Sequence, residues 1–383
     1  MKAVIAIDSF KGSLNTFESS AAVAEGIRAV YPDAEIDICP LADGGEGTVR
    51  AVVSALGGEL CRATVTGPLG EAVDAEYGIV KEKKLAIIEM SAAAGITLVP
   101  HEKRNPLYTT TYGVGELILD ALDKDCRRFI IGIGGSATND GGVGMLSSLG
   151  FDFLDAQGEK IPRGAIGLSG LCTISGAHID ERLSQCEILV ACDVDNPLCG
   201  EQGCSRIYGP QKGADEKMIA EMDVLLEKYA TLTRQIRPDA DAFFPGVGAA
   251  GGMGFALKYY LGATLTSGID LVTDAIGLEE RLKDADIVIT GEGRLDSQSA
   301  MGKAPVGVAR LAKKHGKTVI ALAGAVKDDA VVCHGQGIDA FFPIVRKPCT
   351  LDEAMNIENA YENLKNTTEQ VFRLIKVCGK ERK

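Results

Sequence analysis

No run of about 18 uncharged apolar residues occurs in the 383-residue sequence, so a membrane-spanning helix is not expected. Cys-x-x-Cys pairs are also missing. The 11 cysteines stand singly, which argues against a disulfide framework and for small buried apolar residues in a reducing compartment. His101, His178, His315 and His334 lie far apart, and none has the spacing of a zinc ligand. Positive charge is in deficit. A net charge of −13 argues against nucleic acid or an anionic membrane surface as the partner. It leaves room for a small anionic ligand, because a local cluster of N–H groups, Lys and Arg outweighs a distant negative field once salt screens it. The first residues, MKAVIAIDSFKG, lack the long apolar core and small-residue cleavage site of a signal peptide, and a cytoplasmic protein is expected.

What is present is the balance of a globular protein, 46% apolar and 24% charged, in a chain long enough for two or three domains. Strands and helices alternate at both ends. Lys2 to Ile7 reads as a strand. Asn15 with Glu18 reads as a capping box opening a helix that aligns Val23, Ile27 and Val30, and Glu35 to Cys39 reads as a second strand. Towards the C-terminus, Asp286 to Thr290, Thr318 to Leu322 and Ile338 to Pro343 read as strands. Pro305 to Lys314 and Leu351 to Val377 read as helices. This alternation predicts a parallel α/β sheet. The middle is richer in glycine, with strands at Leu85 to Met90, Phe129 to Ile133 and Cys186 to Cys192. Its helices are expected at Gly115 to Leu122, Asp215 to Ile236 and Gly254 to Leu261. The expected organisation is therefore α/β throughout. Residues 1–63 plus 282–383 form one discontinuous parallel-sheet domain, and residues 64–281 form a second α/β domain inserted into it, with a ligand cleft between the two.

The most informative segment is IGIGGSATNDGGVGMLSSLG, Ile131 to Gly150, between a buried strand and the helix expected from Met145. Glycines interleaved with Ser136, Thr138, Asn139 and Asp140 at a strand–loop–helix junction suit a phosphate. Gly132 to Ala137 also fits G-x-G-x-x-A, with Asp152 and Asp155 downstream. This keeps open an NAD-dependent hydroxy-acid oxidoreductase. Other polar clusters follow strands: Asp8-Ser9-Phe10-Lys11-Gly12, Asp43 to Thr48, Asp193-Val194-Asp195 and Gly291 to Ser297. Each reads either as an ordinary turn or as a ligand site at a strand end. Asp193 is a candidate general base or metal ligand, Arg294 can clamp a carboxylate, and Asp296 can accept a proton. Gly316-Lys317-Thr318 is not a Walker A loop, because residue 311 is Leu and the segment runs from helix to strand.

Taken together, DSFKGSLNTFE, PLADGGEGT, GGSATNDGGVGM, CDVDNPLCGEQG, GPQKGA, PGVGAAGGMG and GEGRLDSQSAMGKAPVGVA resemble the bacterial glycerate kinase family of the first type, in order from Asp8 to Ala309. Cys204 stands where a small residue such as alanine is expected. The resemblance implies an ATP-dependent kinase acting on D-glycerate, with 2-phosphoglycerate as product and 3-phosphoglycerate as the alternative. It also implies a discontinuous flavodoxin-like domain and an active site in the interdomain cleft. Phosphoryl transfer needs positioning and charge neutralisation, which suggests the roles. Gly134, Gly135, Ser136, Thr138 and Asn139 would hold the phosphates of ATP, and Asp193 would stand near Mg²⁺. Ser9, Lys11, Asp43 and Arg294 would bind glycerate, its carboxylate lying against Lys11 and Arg294. Asp193 or Asp296 would take the hydroxyl proton, with Lys11 beside them in the catalytic group. ATP and glycerate would then approach from different domains. A homodimer is a further possibility.

Overall fold

The computed structural model describes residues 1–380. Its strands, in chain order, are β1 (Lys2–Ile5), β2 (Glu35–Ile38), β3 (Glu59–Thr66), β4 (Ala72–Val80), β5 (Leu85–Glu89), β6 (Arg128–Gly132) and β7 (Asp152–Leu154). There follow β8 (Thr173–Ser175), β9 (Glu187–Ala191), β10 (Thr264–Thr266), β11 (Ile287–Leu295), β12 (Thr318–Val326) and β13 (Ala340–Pro343). The chain divides into two compact units. Unit 1 comprises Met1–Asp43, Ser54–Leu56 and the stretch from Ile269; unit 2 comprises Gly44–Val53 and Gly57–Gly268. These bounds replace the expected breaks at 63/64 and 281/282. A break at 63/64 would cut through β3, which pairs along its length with β4. No helix among the described residues is long and apolar enough to cross a membrane.

Unit 1 is built on a five-stranded sheet in the order β13-β12-β11-β1-β2, every neighbouring pair parallel. Counted within the unit, this is the 2-1-3-4-5 order of flavodoxin-like folds, whose strand order reverses between β1 and β11. Alternate residues explain why its strands read as unbroken apolar runs. Ala3, Ile5, Ile287, Ile289, Ile320 and Leu322 face one core, shared with Val23 and Ile27 of the helix Thr16–Arg28 and Leu364 and Phe372 of the helix Ile357–Lys380. Val4, Val288, Val319 and Ala321 are buried as well, and the helix Ala304–Lys314 packs on β11 and β12. A parallel sheet covered on both faces produces this pattern.

The Asn15–Glu18 capping box is present as expected. The single helix expected over 351–377 is instead two, Leu351–Met355 and Ile357–Lys380. Asn356 between them is extended (φ −58°, ψ 129°), and its side chain accepts the Asn359 amide at 3.2 Å, as an N-cap does.

Unit 2 holds a six-stranded sheet, β10-β9-β6-β5-β4-β3, in which β5, β6, β9 and β10 run parallel and β3 and β4 are antiparallel additions. β7 and β8 form a separate hairpin. The strands expected at 85–90, 129–133 and 186–192 occur within a residue of those bounds, and the helices Tyr112–Asp123 and Glu216–Ile236 cover the other expected segments. The helix Ala249–Leu261 is regular only after Gly252, because Ala250, Gly251 and Gly252 are all left-handed.

Candidate active site

In open parallel sheets, ligands bind beyond the carboxyl ends of the strands at the point where the order reverses. In unit 1 that point is the end of β1 and β11. Asp8 follows β1; its amide donates to the Gly291 carbonyl of β11, and its carboxylate accepts the Ser9 amide at 2.6 Å. Lys11 extends its ammonium to the Asp43 carboxylate at 2.9 Å, the Lys11 side chain being 70% exposed. The sequence-predicted residues Ser9, Lys11 and Asp43 thus gather here, and β11 brings Arg294 and Asp296 to the same strand ends.

One expectation needs correction. The segment after Thr290 was expected to be a loop, yet β11 continues to Leu295 because β12 keeps pairing with it up to Val326. Glu292 and Arg294 therefore sit on a rigid strand, and Asp296 is the first residue beyond it. The Arg294 Nε donates to Asp296 at 3.1 Å, and Lys327, just past β12, lies 3.7 Å from the same carboxylate. The Ser299 hydroxyl donates to Glu292.

These carboxyl groups differ sharply in proton affinity. Burial, and then the Asp43 charge, push Asp8 up to about 7 against the weaker pull of the Ser9 amide and Lys11. Burial also raises Glu292. Asp296 is equally buried, but Lys303, Arg294, the Gln298 amide and Lys327 outweigh the burial and hold it below the ordinary carboxylate range. A carboxylate tied to cations is a weak base, whereas one that titrates near neutrality is well matched to proton transfer. Of these two buried carboxyls, Asp8 is thus better matched to proton transfer than Asp296, although sequence reasoning had only placed Asp8 in a polar turn and had offered Asp193 or Asp296 for that role. Lys303 and Lys327 were missed altogether. The motif GEGRLDSQSAMGKAPVGVA contained Lys303, but nothing in its spacing pointed the side chain at Asp296.

In unit 2 the glycine-rich loop leaves the carboxyl end of β6. Only Gly134 and Gly135 are exposed; Ser136 is nearly buried, and Thr138, Asn139 and Asp140 are wholly so. The helix Val143–Ser148 behind the loop is a single short turn and a half, and its first amides are already taken. The Asp140 carboxylate accepts from the Gly142 and Gly144 amides and from the Thr111 amide and hydroxyl. The expected phosphate seat at this helix end is therefore filled by the protein's own carboxylate. Thr138 and Asn139 are corrected from direct phosphate contacts to residues beneath the loop, where the Asn139 side-chain amide donates to Ser205 at 2.8 Å. What the loop offers outward is the backbone of Gly134 and Gly135 with Ser136 beside it.

The same geometry disposes of the dinucleotide reading, which needs a pyrophosphate on the helix N-terminus and an acidic residue at the next strand end. Asp152 instead lies in the β7–β8 hairpin, bound to His178 at 2.6 Å and Lys160 at 3.1 Å. Asp155 takes the amides of its own turn. Asp193, past the end of β9, is exposed and accepts the Gly268 amide at 2.8 Å. Among the described residues no group of three or more His, Cys, Asp or Glu side chains is arranged to hold a metal. A single exposed carboxylate at a strand end fits Mg²⁺, which commonly takes one or two protein carboxylates and completes its shell with phosphates and water.

A sequence model of the glycerate kinase family matches residues 3–376. The chain is 52% identical to "Glycerate 2-kinase" of Escherichia coli (strain K12), over 95% of each chain. It is 49% identical to "Glycerate kinase" of Haemophilus influenzae, over 98% of this chain and 99% of the other. A crystal structure from Salmonella typhimurium LT2, whose description names glycerate kinase 2, superposes with a TM-score of 0.90 at 48% identity over 99% of both chains.

Proposed function

The chain belongs to the glycerate kinase family, and on that footing we propose that it transfers the terminal phosphoryl group of ATP to the 2-hydroxyl of D-glycerate, yielding 2-phosphoglycerate and ADP. The observation that supports this beyond kinship is the buried Asp8 carboxyl beside Lys11 at the reversal point of the unit 1 sheet, with Arg294, Lys303 and Lys327 gathered around Asp296 just past the end of the neighbouring strand β11. Cations draw in an anionic acceptor, and one carboxyl is left able to take a proton near neutral pH. In this reading Arg294 and Lys11 hold the glycerate carboxylate, and Asp8 accepts the hydroxyl proton as the oxygen bonds to phosphorus. The bond from phosphorus to the bridging oxygen of ADP breaks in the same step. The loop of unit 2 receives the phosphates on the Gly134–Gly135 backbone. Asp193 would help to hold Mg²⁺, which would supply charge neutralisation at the phosphates. The regiochemistry leans on the name of the Escherichia coli relative.

The test is ADP release with D-glycerate as acceptor, followed by NMR of the product. Phosphorus coupled to the C2 proton is expected; coupling to the C3 protons would reassign the hydroxyl, and no turnover would overturn the reading. Arg294→Ala should raise the KM for glycerate roughly 10- to 100-fold, the worth of a charge-assisted hydrogen bond, and leave the KM for ATP alone. Steady-state kinetics with each substrate varied in turn would show it. An unchanged glycerate KM removes Arg294 from the site.

A further inference from the structure

Two motifs of the sequence, GPQKGA and PGVGAAGGMG, have no part in the roles assigned so far, and both end beneath the glycine-rich loop. Lys212 stands at the end of a single turn, Pro210–Lys212, with its side chain 2% exposed. Among the described residues no other lysine or arginine is buried. Its ammonium donates to the Thr138 carbonyl at 2.7 Å, inside the loop. The second motif grips the same segment from another side, since the Gly141 amide donates to the Gly251 carbonyl at 2.9 Å. The Asn139–Ser205 bond makes a third attachment.

A buried ammonium is costly unless its donors and its charge are met. Lys212 has three donors, and the structure fills one. The nearby negative group, Asp140, is not in ion-pair contact, and its oxygens are committed to Thr111, Gly142 and Gly144. Beside them the Thr138 hydroxyl and the Asn139 side-chain carbonyl are buried without partners. Packing alone would be served better by a methionine. The features that make this position expensive, an unspent cation and unpaired polar atoms, lie directly under the loop assigned to the phosphates.

We propose that Lys212 is the positioning residue of the nucleotide loop: through the Thr138 carbonyl it fixes the Gly134–Ser136 backbone, and its charge biases the loop towards an anion. This rests on the phosphate reading of the loop. Burial pulls Lys212 down to about 8, against the opposing pull of Cys204 and Asp140, the titratable groups that face it. The charge that the loop needs is therefore lost as pH rises through that value.

Lys212→Met is expected to raise the KM for ATP at least tenfold while the KM for glycerate stays within twofold. In the wild-type protein kcat/KM for ATP should fall between about pH 7 and pH 9.5, and this limb should be absent in the variant. A merely structural lysine would move both KM values or neither and would leave the alkaline limb in place. An unchanged ATP KM in the variant overturns the proposal. A flat wild-type profile does the same and needs no variant, should Lys212→Met fail to fold. Gly134→Ala separates this proposal from the reading beneath it. The added methyl would meet no protein atom closer than 3.5 Å, so only a ligand on that backbone should feel it. If Gly134→Ala weakens ATP and Lys212→Met does not, the loop reading stands and Lys212 falls. If neither does, both fall.

Discussion

Replacing Asp8 by asparagine is expected to lower kcat by about two to four orders of magnitude, the span associated with losing a general base. The KM for ATP should be nearly unchanged. The substitution keeps shape and one acceptor for the Ser9 amide, so the loss isolates proton transfer. In the wild-type protein the rate should climb as pH rises through about 7, where the Asp8 carboxyl ionises, and the Asn variant should have no such limb. Stability should move the other way. The folded pKa of Asp8 lies above its unfolded value of 3.8, so between about pH 4 and pH 7 the native state binds the extra proton, and stability is lost as pH rises through that window. Asparagine removes the penalty. The variant should be more stable than wild type at pH 8, by on the order of a few kcal/mol of unfolding free energy, and show little advantage at pH 4. Asp296→Asn is the contrast, since its carboxylate is already pinned by Arg294 and Lys327. If Asp296→Asn costs more rate than Asp8→Asn, the base has been misassigned.

Gly251→Ala is expected to be strongly destabilising. Gly251 has φ +66°, and a Cβ there would lie 2.1 Å from the Thr138 carbonyl oxygen and 2.6 Å from the Asn139 Cα, both backbone atoms. Left-handed strain and overpacking together cost roughly 2–5 kcal/mol. Relief can come only by pushing the loop that carries Gly134 and Gly135. Urea denaturation followed by circular dichroism should show the lower midpoint, and ATP affinity should fall with it. Gly262→Ala is the control: at φ +67° with no atom within 4 Å, it carries strain alone, about 1 kcal/mol, and should keep full activity. Equal midpoints for the two variants would mean that the contact with the loop is not tight.

The strands of unit 1 were legible because a sheet covered on both faces leaves unbroken runs such as Ala3-Val4-Ile5 and Ile287-Val288-Ile289. Asn15 and Glu18 signalled their helix through local chemistry that needs no tertiary context. The β3–β4 hairpin escaped notice because β3 is mostly exposed or half-buried and carries charge, so its pairing rather than its composition defines it. At the site, residue types were readable and environments were not. Asp8 and Asp296 look alike in sequence. What separates them is the company of Asp43 for one and of Lys303, Arg294 and Lys327 for the other, which only folding supplies. Asp140 read as one more polar loop residue, and its saturation by four donors from two segments could not be read from spacing.

The interrupted connectivity of unit 1 also sets a schedule for its birth. The Lys2 amide bonds to the Asp286 side chain 284 residues away, and β1 has β11 as its inner neighbour. At translation rates of about 5–20 residues per second, β1 waits roughly a quarter of a minute to a minute before that neighbour is synthesised. Over that interval the segment Gly57–Gly268 emerges whole, with every strand of its own sheet in hand. The nascent chain can therefore complete unit 2 while β1 and β2 remain half a sheet, their apolar edge in the keeping of the ribosome and its chaperones.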